Sequence, residues 1–312
     1  MKPTLPTLPS VPELPEVGSA AAVPAAEHWD LVIRPKTGWF DLNLSDLWRY
    51  RDLLWMFVWR DFVSVYKQTI LGPVWFILQP LLTTVVFTVI FSGVGKVPTD
   101  GLPPMLFYLA GTTPWNYFAT CVTKTSGVFV NNAGIFGKVY FPRLVTPVSI
   151  VASTLVQFGI QFLLFLGILA YFLVRDASLH PQAHLIHPNL PMILLLTPVL
   201  LILMALLGLG AGILASSLTT KYRDLNFLIA FGVQLAMYGS CVIFSLASVP
   251  PKYLPFIEAN PMTAIIVSFR AIYLGGDIPW HQLGLSALVT AVILLVGVCI
   301  FNKVEKGFMD TV

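Results

Sequence analysis

"RDFVSVYKQTILGPVWFILQPLLTTVVFTVIFSGVGK", residues 60–96, decides the fold class. It opens with Arg60, Asp61 and Lys67 and then carries no charge until Lys96. The membrane hydrocarbon is about 30 Å thick, and a helix rising about 1.5 Å per residue crosses it with roughly 20 apolar residues. Backbone in lipid must satisfy its own hydrogen bonds, so such a stretch is a helix. The pattern recurs: six runs meet the requirement, at 70–94, 105–127, 146–173, 191–218, 225–248 and 281–301. Charged residues make up 11% of the chain, against about 25% in an ordinary soluble domain. The expected fold is an all-α integral membrane protein with six transmembrane helices over residues 69–312.

An even number of spans places both termini on one side, and Lys and Arg gather in cytoplasmic segments. One side receives Arg34, Lys36, Arg49, Arg51, Arg60 and Lys67 before the first span, and Lys138 and Arg143 between spans two and three. It also receives Lys221 and Arg223 between spans four and five, and Lys303 and Lys306 at the end. The other side keeps Lys96, Arg175, Lys252 and Arg270. Both termini are therefore expected in the cytoplasm. Lys124 either joins the first group or snorkels from within span two. The net charge of +3 restates this asymmetry and gives no sign of a nucleic-acid partner. Cys121, Cys241 and Cys299 sit in apolar runs, as small buried hydrophobes do. "GSAAAVPAAE" (18–27) has small residues but no apolar run before it, so no signal peptide is expected. Residues 1–30, rich in Pro and Ala, are expected to form a disordered cytoplasmic tail.

Residues 31–68 form a cytoplasmic interfacial segment. Ser45 is a suitable N-cap and Asp46 suits a first helical turn. At 100° per residue, Leu47, Trp48, Leu54, Trp55, Val58, Trp59 and Phe62 share a broad face, while Arg49, Asp52, Arg60, Asp61 and Lys67 gather opposite. An amphipathic helix with Trp on one face and charge on the other lies in a membrane interface; packing on a soluble domain is the alternative.

Two loops are too structured in composition for linkers. In "NNAGIFGKVYFPRLVTP" (131–147), glycines and prolines punctuate Ile135, Phe136, Val139, Tyr140 and Phe141, which need a partner: headgroups, a docked protein or the chain's own helices. Between spans five and six, Asn260 can cap a helix with Pro261 at its first position, and Gly275 stands where a helix-ending glycine belongs. A helix over 261–274 is only about 21 Å long, so it lies at the outer interface or re-enters part-way. Glu258 and Arg270 either hold this segment together or face water.

"FSGVGKV" (91–97) resembles a phosphate loop but has Ile90 and Val97 where that motif needs Gly and Ser or Thr. His180, His184 and His187 are interrupted by Pro181 and Pro188, so no metal site is expected. Gln157 and Gln161 share a face of span three and either line a hydrophilic path or link helices. Gly208 and Gly212 have the small-residue spacing of close helix packing. Mid-membrane carboxylates suited to a proton relay and motifs for a catalytic centre are both missing, so the chain is expected to be no enzyme and to need an outside energy source.

Four blocks together resemble the permease subunit of ABC-2-type polysaccharide exporters, the family handling O-antigen, capsular polymers and teichoic acids. They are "LWRYRDLLWMFVWRDFVSVYKQTILGPVWFILQPL", "GIFGKVYFPRLVTPVS", "TTKYRDLNFLIAFGVQLAMYGS" and "ANPMTAIIVSFRAIYLGG", in the family's order and covering nearly everything after residue 30. Many relatives follow the serine matching Ser240 with Pro, whereas Cys241 follows here.

The resemblance implies two copies of this chain, two copies of a separate ATPase subunit holding ATP and Mg, and a polyprenyl-pyrophosphate-linked glycan moved across the bacterial inner membrane. A sugar chain has apolar ring faces and hydroxyls, so its channel would offer aromatics and few charges. The candidates are Trp75, Phe76, Gln79, Tyr117, Gln234 and Tyr238. Arg49, Arg60 and Lys67 are candidates for the lipid-pyrophosphate at the gate, where attraction to anionic lipid would place the same charges. Lys138, Tyr140, Phe141 and Arg143 are candidates for docking the ATPase. A self-sufficient secondary transporter or lipid-linked sugar flippase is the rival function, and a membrane enzyme comes third.

Overall fold

The computed structural model describes residues 44–67, 72–139, 141–179, 186–222 and 224–307, which contain helices, turns and no strand. The expected N-terminal tail, Tyr140, Arg223, His180 and His184 lie outside the described residues. Helix α1 (Leu44–Arg49) and helix α2 (Arg51–Tyr66) meet at Tyr50, which leaves helical geometry at φ −94° and ψ 22°. The expected amphipathic helix is therefore two helices, and its apolar side divides. Phe57 and Val58 are buried, whereas Trp48, Trp55 and Trp59 are exposed.

The first long helical stretch, Gly72–Val94, joins a 3₁₀ turn, helix α3 (Trp75–Phe87) and a π-helical end, Thr88–Val94. Pro80 inside α3 lacks an N–H, and Thr84 Oγ1 donates to the Pro80 carbonyl at 2.7 Å. Phe87 and Phe91 stand edge to face and pack against Tyr108. That residue belongs to α4 (Pro104–Ser126). Helix α5 (Val128–Phe136) follows at once, then α6 (Val145–Leu179), α7 (Leu190–Thr219) and α8 (Leu225–Tyr238). A short α9 (Leu254–Glu258), α10 (Pro261–Leu274) and α11 (Trp280–Gly307) complete the described chain.

Helix α4 is the centre of the packing and touches α3, α6, α7, α8 and α10. It buries Thr112 and Thr113 and half-buries Asn116 and Thr123. Thr113 and Thr123 return their hydroxyls to the carbonyls of Leu109 and Ala119, each at 2.8 Å. Glycines set the distance from α4 to α7, as their spacing predicts. A Cβ on Gly208 would stand 2.7 Å from Cys121 Cβ, and one on Gly212 would stand 2.5 Å from Thr125 Cβ. Gly210, on another side of α7, meets the backbone of Leu294, and Gly297 of α11 meets the carbonyl of Gly210.

Among the described residues, four helical stretches are long and apolar enough to cross a membrane: Gly72–Val94, Val145–Ser178, Leu190–Thr219 and Trp280–Val304. They match four of the six expected spans. The expected span 105–127 is present as α4, long enough but more polar. The expected continuous span 225–248 is corrected: its helix stops at Tyr238. Gly239 and Ser240 form a turn, Cys241 takes φ +54°, and the chain runs on without helix until a 3₁₀ turn at Leu246–Ser248. No proline is involved. The turned segment is buried, with Cys241 and Val242 fully covered.

Helix α10 lies where the sequence places it. Asn260 caps it by accepting from Met262 N at 3.0 Å, and Gly275 ends it at φ +101°.

Candidate translocation and docking surfaces

Arg60 and Asp61 form one unit at the end of α2. Arg60 Nε and Nη2 both donate to Asp61 Oδ1, at 2.9 and 2.7 Å, and the guanidinium lies 4.7 Å from the Phe57 ring centre. The Asp61 carboxylate also borders a small cavity of about 20 Å³ with Phe62, Phe76, Lys124, Ser153, Val156 and Gln157. This is room for one water. Elements α2, α3, α4 and α6 thus meet at a polar corner holding one carboxylate and the ammonium of Lys124. Lys124 is a residue the sequence placed only by charge, and nothing in its local pattern signals the corner. Arg49 and Lys67 are exposed.

The two glutamines of α6 divide their roles. Gln161 is buried and accepts from Asn116 Nδ2 at 3.5 Å, a link between α4 and α6, while Gln157 faces the corner cavity.

Among the channel candidates, Trp75 and Gln79 on α3 are exposed and Phe76 borders the cavity. Gln234 and Tyr238 on α8 are exposed. Tyr117 is different: it is 2% exposed, packs on Phe158 and donates its hydroxyl to the Val151 carbonyl at 3.4 Å. Its place is the α4–α6 contact.

The docking candidates also separate. Phe141 is 5% exposed and packs edge to face on Phe57 and against Phe136. Phe129 and Phe301 stack beside them, 4.7 Å between ring centres. Phe136 and Phe141, two of the loop's apolar groups, find their partner in the chain itself. Arg143 lies over the Phe136 ring at 5.7 Å. Lys138 and Val139 are exposed just past α5, together with Asn131, Gly134 and Gly137.

Near the start of α4, Arg270 of α10 is 7% exposed. Its Nη1 donates to the carbonyl of Cys241 at 2.6 Å, its Nη2 donates to the carbonyl of Val242, and its plane covers Phe107 at 3.7 Å. Those carbonyls are orphaned by the end of α8, and buried unpaired carbonyls are costly. Of the two expected alternatives, holding the segment together or facing water, Arg270 takes the first; Glu258 accepts from Gln282 at 3.2 Å. A lone arginine in an apolar 14-residue helix was the visible signal.

The family model for ABC-2 type transporters matches residues 52–274. An O-antigen export system permease protein RfbA of Klebsiella pneumoniae is 27% identical over 259 residues, covering 83% of this chain and 94% of that protein. RfbA of Myxococcus xanthus is 25% identical, with 86% and 98% covered, and the polysialic acid transport protein KpsM of Escherichia coli is 23% identical, with 81% and 93% covered. The family match runs from α2 to the end of α10, and this multi-pass membrane chain belongs to the ABC-2 type transporter family.

Proposed function

We propose that the chain is the membrane-spanning permease subunit of an ATP-driven exporter that moves a lipid-linked polysaccharide, an O-antigen-like glycan, across the inner membrane. The observation that carries this is collinearity: relatives named for O-antigen export align over more than nine-tenths of their own length. Two copies of the chain pair, and each works with a separate ATPase chain that binds ATP and Mg. Helix α4 and the segment 225–248 supply the two crossings beyond the four apolar ones, so both termini face the cytoplasm. The exposed Trp48, Trp55 and Trp59 support an interfacial position for α1 and α2.

Trp75, Phe76, Gln79, Gln234 and Tyr238 are the proposed glycan contacts. Arg49, Lys67 and the Arg60–Asp61 unit, with Lys124 behind it, are the groups at headgroup depth. Arginine grips phosphate oxygens as a fork, and in Arg60 that fork is turned onto Asp61. The exposed Lys138 and the adjoining face of α5 form the ATPase contact.

Depletion of the chain is the test. The expected outcome is loss of polymer from the cell surface and accumulation of lipid-linked glycan inside, measured by mass spectrometry of extracted lipids. Undiminished surface polymer and no accumulated intermediate would overturn the assignment.

A further inference from the structure

A second cavity, of about 420 Å³, opens near the start of α4. Small-molecule sites fall roughly within 300–1,000 Å³. It lies at the opposite end of α4 from α5, a helix length of about 34 Å away. Its buried wall includes Arg270, Ser245 and Phe107, and its exposed members include Asp100, Asp277 and His187. Arg270 is more than nine-tenths buried, and its Nε has no hydrogen-bond partner although both Nη groups are engaged. The backbone leaves space on the same side: Gly276, at φ +125°, has nothing within 4 Å of a built Cβ. Gly275, at φ +101°, closes on His187, whose N–H donates to the Leu274 carbonyl at 3.2 Å.

The charges choose the ligand. Two carboxylates face one guanidinium, and that guanidinium is already committed to the Cys241 and Val242 carbonyls. Among its described lining residues the cavity is rich in acceptors, with two carboxylates against one guanidinium. A carboxylated or phosphorylated ligand meets repulsion from Asp100 and Asp277. A ligand carrying many hydroxyls and no charge can donate to both. We infer that this cavity is a saccharide subsite for uncharged sugar units, on the face where an exported chain emerges. The inference rests on the export assignment for its source of ligand.

Saturation-transfer NMR on the full chain, in complex with its ATPase in nanodiscs, tests it. The probes are an equimolar set of neutral tetrasaccharides of mannose, galactose and glucose, with the sialic acid tetramer as the charged counterpart. Transfer to at least one neutral probe, at least fivefold above the sialic acid tetramer, is expected. Asp100→Asn with Asp277→Asn should lower the neutral signal at least fivefold, and Asp277→Lys should raise the signal of the sialic acid tetramer. Absence of neutral binding, equal binding of both kinds, or a neutral signal indifferent to the carboxylate changes would overturn the subsite. The surface-polymer assay separates the two levels. Lost display on depletion with an empty cavity sinks only the subsite, whereas retained display sinks the export assignment itself.

Discussion

Helices α7 and α8 come from neighbouring apolar runs that are alike in composition, yet they are built differently. Helix α7 continues for 30 residues and buries Leu200, Met204, Leu207 and Ile213, with glycines on two sides set against α4 and α11. Helix α8 stops after 14 residues and has no buried residue; Phe227, Leu228, Phe231 and Leu235 are exposed along it. Its glycine, Gly232, has nothing within 4 Å of a built Cβ. Helix α7 is held by close backbone approach, which in a membrane replaces the hydrophobic drive that lipid cancels. The end of α8 is held instead by hydrogen bonds from α10, because a broken helix leaves carbonyls that lipid cannot satisfy. Apolar composition therefore marks what enters the membrane, and buried partners decide how the chain is shaped inside it.

Breaking the α8 end should have the largest effect. Arg270→Met removes the donors to the Cys241 and Val242 carbonyls while keeping much of the side-chain volume. Each buried polar group left unpaired costs about 1–3 kcal/mol, so a marked fall in thermal midpoint in detergent is expected. An unchanged midpoint would show that the turn holds without the arginine.

The scaffold of α7 should respond next. A Cβ on Gly210 would stand 2.9 Å from backbone atoms of Leu294, which cannot rotate away. Gly210→Ala should therefore destabilise by about 1–3 kcal/mol, the usual cost of overpacking. Gly232→Ala has open space and should be neutral or stabilising by up to about 1 kcal/mol, the helix-propensity gain. Melting both variants beside the parent checks the contrast, and equal effects would erase the distinction between α7 and α8.

A smaller loss than at Arg270 or Gly210 is expected at Asn260, where the cap of α10 and the end of α8 meet. Its Oδ1 accepts from Met262 N, and its Nδ2 donates to Ser240 Oγ at 2.7 Å. Asn260→Ala should cost about 1 kcal/mol for the cap alone. Hydrogen exchange should rise in the first turn of α10 and in the turn after Tyr238 together. A rise confined to α10 would mean that the bond to Ser240 does not couple them.

The sequence by itself determined the class of the fold, four of the apolar helical stretches, the bounds of α10 and the Gly208–Gly212 face of α7. Each follows from a local or periodic rule: apolar length against membrane thickness, Asn-Pro at a helix start, and glycines four apart. Only the tertiary structure decided that 225–248 breaks at Gly239, because the carbonyls beyond the break are met by Arg270, 28 residues beyond Val242, and the run holds no proline. It also decided that Tyr117 and Phe141 turn inward, since an aromatic ring suits a channel, a docking surface and a core equally well by composition. Burial depends on which helices stand beside α4 and α5, and no local pattern in a uniformly apolar sequence specifies those neighbours.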